Sequence, residues 1–92
     1  VRFTWDPRKA KANLRKHGVS FNEAMDAFQN PYAKLWVDPE HSGSEDRYQL
    51  LAQSQLRQVL LLVIHCYPSN DAVRIFSARQ ASKSERKQYY ED

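Results

Sequence analysis

With 92 residues, 14 Lys and Arg against 11 Asp and Glu, and a net charge of +3, the chain has room for one core. Its mildly basic surface suits nucleic acid or an acidic partner. The lone cysteine, Cys66, excludes an intramolecular disulfide, and the longest apolar run, Val59 to Ile64, is far too short to cross a bilayer. Arg2, Asp6 and Arg8 leave no signal-peptide pattern, so a single cytoplasmic domain over residues 1–92, without membrane contact, is expected.

Arg2 to Trp5 is β-prone and short, which predicts an edge strand. Asp6 is a good N-cap and Pro7 stands at the first helical position, so a helix should run to His17 and stop at Gly18. At about 100° per residue, Arg8, Lys9, Lys11, Arg15 and Lys16 cover one arc, opposite Ala10, Asn13, Leu14 and His17. The apolar stripe is thin, which predicts a peripheral helix with its basic arc outward. Ser20-Phe21-Asn22-Glu23 is a capping box, and Phe21, Ala24, Met25 and Phe28 follow at helical spacing as a core-facing stripe ended by Asn30-Pro31.

The period then changes. Lys34 to Val37 is a short strand, and Asp38 to Ser44 a polar loop rich in turn formers. Arg47 to Ser54 is the next strand, Gln55 to Arg57 a tight reversal, and Val59 to Tyr67 an apolar central strand. Pro68 to Asp71 makes a turn and Ala72 to Ala78 the last strand. Ser82-Lys83-Ser84-Glu85 repeats the capping box before a C-terminal helix. The sum is an α+β fold: two N-terminal helices, an antiparallel β-sheet meander of about four strands, and a C-terminal helix. Both N-terminal helices are expected on one sheet face, leaving the other for function.

Several fragments follow one another in order along the chain. They are Phe3-x-Trp5-Asp6 with Lys9; Asn13 with Lys16-His17-Gly18; Phe21-x-Glu23-Ala24 with Phe28 and Pro31; Asp38-x-x-His41 with Glu45 and Arg47; Arg74-Ile75-x-Ser77-Ala78-Arg79 with Ala81; and Glu85 with the C-terminal tyrosines. As a set, in a basic chain of this length, they resemble the BrnT-type toxins, small RelE-like ribonucleases of bacterial type II toxin–antitoxin pairs. The chain departs from that pattern at Ala52 and Leu56, where glycine is common, and at Pro68, where arginine is common. The resemblance implies a RelE/ParE-like fold, cleavage of RNA without a metal or other cofactor, and inhibition of translation and growth. It also implies a hetero-oligomer with a ribbon-helix-helix antitoxin of BrnA type.

Metal-free RNA cleavage needs a proton acceptor at the 2′-hydroxyl, positive charge on the phosphate oxygens, and a donor for the 5′-oxygen. Arginine stays protonated and suits the phosphate, which its planar fork matches. Arg79, Arg74 and Arg47 are the candidates, with Arg79 alternatively bracing the strand-to-helix turn or pairing with Glu85. Proton transfer falls to His17, His41 or Glu45. His17 could equally serve the helix terminus, and Glu45 with Arg47 could be a surface ion pair. Lys9 and Lys16 are candidate RNA contacts, and Tyr89 or Tyr90 could stack on a base, although Tyr89 could instead pack on the sheet. Two candidate ligands, His41 and Glu45, do not make a metal site, so no metal is expected. His65 and Cys66 fit a satisfied core histidine and an inert thiol. Two alternatives stay open: a non-catalytic RNA- or protein-binding module of the same fold, and a RelE-fold toxin with a non-RNA target such as a topoisomerase.

Overall fold

The computed structural model describes residues 1–38, 40, 43 and 45–91; His41 lies outside them. In chain order the elements are β1 (Arg2–Thr4), α1 (Pro7–His17), α2 (Phe21–Ala27), β2 (Lys34–Val37), β3 (Tyr48–Gln53), β4 (Leu60–Ser69), β5 (Ala72–Gln80) and α3 (Lys83–Glu91). The strands form one sheet in the order β1-β5-β4-β3-β2. From β2 to β5 it is the expected antiparallel meander. The sheet as a whole is mixed, because β1 adds a fifth strand parallel to β5, with Arg2, Phe3 and Thr4 opposite Ala72, Val73 and Arg74.

Capping chemistry sets the helix ends. Asp6 accepts from the Arg8 N–H at 2.9 Å. Gly18 takes φ 70°, a left-handed value that favours glycine, and its N–H returns to the Leu14 carbonyl at 2.9 Å. Ser20 receives the Glu23 N–H at 3.0 Å, but the second half of that box is absent. Glu23 turns inward instead, takes the Ser54 hydroxyl at 2.6 Å, and pairs with Arg57 at 2.7 Å. Helix α2 therefore buries Phe21, Glu23, Ala24 and Ala27, whereas Met25, expected on the stripe, is only half-buried.

Two clusters occupy the two faces of the sheet. Val19, Phe21, Ala24 and Ala27 cover one face with Leu50, Ala52, Leu61, Val63, Val73, Ile75 and Ala78. Fully burying a side chain such as Phe21 contributes about 1.5–3 kcal/mol. Helix α1 reaches this core through a polar residue. The Asn13 amide donates to the carbonyls of Val19 (2.9 Å) and Ala78 (2.7 Å) and accepts the Ala78 N–H at 3.1 Å. Asn13 thus continues the edge pairing of β5 where β1 has ended, while Leu14, expected inward, is exposed.

On the opposite face Leu51, Leu60, Leu62 and Ile64 pack with Tyr89 of α3, flanked by Trp36 and Phe76. That face is therefore not left wholly open, because α3 covers part of it. Its remainder forms the cavity described next.

Candidate active site

Strand β5 carries one surplus residue against β4. Ile64 pairs with Ser77, yet the next residue, His65, pairs with Ile75, leaving Phe76 unpaired in a β-bulge. In a regular strand, Arg74 and Arg79 would face opposite sides. The surplus residue resets the alternation. Arg74 is opposite Cys66 and Arg79 opposite Leu62, on the same face as Ser77 and Phe76. Arg79 therefore parts company with Val73 and Ile75, the neighbours that unbroken alternation assigns it. Strand β5 also runs on through Arg79 to Gln80, because Gln80 still pairs with Leu61.

Register places the candidates in rows across this face. One row runs Lys34, Leu51, Leu62, Arg79; the next runs Trp36, Gln49, Ile64, Ser77. Beyond them Cys66 is opposite Arg74. Burial pushes the Cys66 thiol up, Glu45 adds to that shift, and Arg47 and Arg74 oppose it. The thiol is an inert neighbour of those three charged groups, in keeping with the sequence.

A cavity of about 710 Å³ opens over these rows, lined by Lys9, His17, Asp38, Glu40, Arg47, Gln49, Leu62, Ile64, Phe76, Ser77, Arg79 and Glu85. Helix α1 delivers Lys9 and His17, the segment before β3 delivers Arg47, β5 delivers Arg79, and α3 delivers Glu85. Arg47 lies with its guanidinium carbon 3.9 Å from the Phe76 ring centre, and Lys9 Nζ is 5.5 Å from the same centre. Lys16 lines an adjoining groove that shares Lys9, His17, Phe76 and Ser77 with the cavity.

Arg79 is held end-on. Its Nη1 and Nη2 each donate to one Glu85 oxygen at 2.8 Å, and Nη1 also donates to the Gln80 carbonyl at 3.2 Å. Glu85 meanwhile accepts the Ser82 N–H at 2.8 Å, and Ser82 accepts the Glu85 N–H at 3.2 Å, which completes the second capping box. The Arg79 guanidinium holds the Glu85 carboxyl below the usual range. Of five guanidinium N–H donors, those at Nε and one at Nη2 have no partner among the described residues.

Other expected groups lie elsewhere. Arg74 and Glu45 are beside Cys66 and do not line the cavity. Tyr89 stands apart from this cavity: its ring packs in the second core, its hydroxyl donates to the Tyr32 carbonyl at 2.9 Å, and with Tyr90 it lines a separate cavity. Tyr90 is exposed but lines only that separate cavity, with Asn30, Tyr32, Lys34 and Gln53. His65 is fully buried. Its Nδ1–H donates to the Val63 carbonyl at 3.2 Å, its Nε2 accepts from the Tyr67 hydroxyl at 3.0 Å, and burial lowers its pKa to about 4. Glu40, Gln49, Phe76 and Ser77 are cavity residues that sequence reasoning does not single out. Among the described residues no three His, Cys, Asp or Glu side chains gather as a metal-binding group. Among the described residues no helix is long and apolar enough to cross a membrane.

Residues 5–85 match the family model for the ribonuclease toxin BrnT of type II toxin–antitoxin systems. The chain belongs to the BrnT family. It is accordingly a ribonuclease toxin of a type II system, with a cognate antitoxin and an RNA target. A 1.1 Å crystal structure of the Brucella abortus ribonuclease toxin BrnT superposes with a TM-score of 0.66 and 23% identity, covering 90% of this chain and 100% of that one. At that identity the likeness bears on the fold, which is BrnT-like. No significant match was found among curated protein sequences.

Proposed function

We propose that this BrnT-family chain cuts RNA in the cavity between α1, β3, β5 and α3, by in-line attack of the 2′-oxygen on the adjacent phosphorus. The carrying observation is that Lys9, His17, Arg47 and Arg79, distant in sequence, line one cavity of about 710 Å³. Forming the 2′-O–P bond and breaking the P–O5′ bond leaves a 2′,3′-cyclic phosphate and a 5′-hydroxyl. One proton leaves the 2′-hydroxyl and one reaches the 5′-oxygen.

Arg79 takes the phosphate through the donors that Glu85 leaves open, and Arg47 neutralises the second oxygen as charge builds in the transition state. Arg74 stands outside the cavity beside Cys66, where it suits a neighbouring phosphate. His17, on the cavity wall, is the proton-transfer group the geometry favours, ahead of Glu45, which does not reach the wall. Lys9 and Lys16 lead the strand away along α1. Glu85 is engaged with Arg79, so it does not oppose RNA as a free surface charge does.

The antitoxin is proposed to be a ribbon-helix-helix protein whose acidic surface docks on the exposed basic arc of Arg8, Lys11, Arg15 and Lys16. The deciding experiment incubates purified protein with RNA in excess chelator and maps the new ends. Cyclic-phosphate products support the reading. Complete loss of cleavage on chelation, restored by a divalent cation, contradicts it.

A further inference from the structure

We infer that Phe76 is a positioning residue for RNA cleavage, seating Arg47 and Lys9 through its ring; the inference rests on the phosphate role proposed for the cavity. Three observations support it. First, the bulge at Phe76 puts two consecutive residues, Phe76 and Ser77, on the cavity face, where regular alternation permits only one. Second, the Arg47 guanidinium carbon and Lys9 Nζ lie over this one ring, at 3.9 and 5.5 Å from its centre. Third, those cations come from separate parts of the chain, Arg47 next to β3 and Lys9 in α1.

The physical need is clear. Two positive charges brought over one ring repel. The negative face of an aromatic ring offsets that repulsion and holds cations without supplying a hydrogen-bond acceptor. A carboxylate in the same place would also hold them, but would repel the phosphate. The ring meets the guanidinium on its face, whereas phosphate takes its in-plane N–H donors, so the two contacts do not compete. Phe76 is also only partly buried against the second core, so its ring faces the cavity instead of filling the interior.

The test compares single-turnover RNA cleavage by the wild type, Phe76→Leu, Phe76→Tyr and Arg47→Ala, and by the double variant Phe76→Leu/Arg47→Ala. Melting curves accompany each. Leucine keeps apolar volume against the core but has no π face; tyrosine keeps the face. Cleavage should fall on the order of tenfold in Phe76→Leu and stay within about twofold of wild type in Phe76→Tyr. In the Arg47→Ala background, Phe76→Leu should add little, because its effect runs through the missing guanidinium. Equal loss in the leucine and tyrosine variants, or full additivity with Arg47→Ala, overturns the inference while leaving the phosphate reading intact. Wild-type cleavage by Arg47→Ala overturns the part of that reading assigned to Arg47, and the inference with it. Should Phe76→Leu fail to fold, the tyrosine variant and Phe76→Met decide, since methionine also lacks the ring.

Discussion

Arg79 and Glu85 meet fork to fork, with both N–H···O distances at 2.8 Å, and the same carboxylate closes the first turn of α3 through the Ser82 N–H. The cavity proposed for cleavage and the C-terminal helix therefore share one side chain. Arg79→Ala should lower RNA cleavage by roughly 10²–10³-fold, the scale seen when a transition-state donor is lost, with the circular dichroism spectrum unchanged. Arg79→Lys should not restore it, because an ammonium cannot pair with Glu85 and phosphate in two fixed forks. Full cleavage by Arg79→Ala would remove the phosphate clamp from this position.

Glu85→Ala should act on both properties. Losing the cap partner costs about 1 kcal/mol, read as a lower melting temperature, and the unheld Arg79 should slow cleavage at temperatures where the variant is folded. A variant with normal cleavage and a lower melting point would make Glu85 structural only.

Stability should fall as the solution is acidified from neutrality. His65 has a folded pKa of about 4 against 6.5 when unperturbed, because burial disfavours its charged form. Between those values the unfolded chain binds the extra proton, so stability is complete above about pH 6.5 and drains away down to about pH 4, by about 3 kcal/mol in all. Thermal melts from pH 7.5 to 4 should show that slope, and His65→Phe should flatten it. An equal slope in both proteins would place the acid sensitivity elsewhere.

Glu23 adds a second, lower stage. The Arg57 guanidinium holds its carboxyl below the usual range, so the stability it contributes is present above that range and disappears as pH falls through the lowered value. Arg57→Ala leaves a buried carboxylate with Ser54 alone. Its deficit in melting temperature should be large at pH 7 and shrink once Glu23 is protonated. A deficit independent of pH would mean that Arg57 acts through packing.

Asn13→Ala should be among the most damaging substitutions in α1, although the residue is polar. It leaves the Ala78 N–H and the carbonyls of Val19 and Ala78 short of a buried partner, and each costs roughly 1–3 kcal/mol. Urea unfolding measures this directly. Loss under about 1 kcal/mol would show that water replaces the amide.

Local chemistry in the chain was a good guide to local structure. Asp6 with Gly18, Ser20 and Ser82 mark helix ends because caps are satisfied within a few residues, and the change to alternation after Pro31 marks the meander. Features decided by distant partners were not legible. Glu23 reads as half of a capping box because Arg57, which draws it inward, lies on another element. Asn13 reads only as a polar member of the thin stripe opposite the basic arc until the vacant edge of β5 is beside it. The directions of Phe76 and Arg79 depend on a surplus residue in β5, visible only from its pairing with β4. Tyr89 is apolar enough to pack and aromatic enough to stack; its place against Leu62 and Ile64 follows from where α3 lands.

The bulge in β5 also bears on how this gene can drift. Side chains between Arg74 and Arg79 can be exchanged one at a time, each with a local effect. Their number cannot change so cheaply: dropping one residue there would abolish the bulge and leave a single side chain on the cavity face where Phe76 and Ser77 now stand together. In this stretch, length is under tighter constraint than spelling.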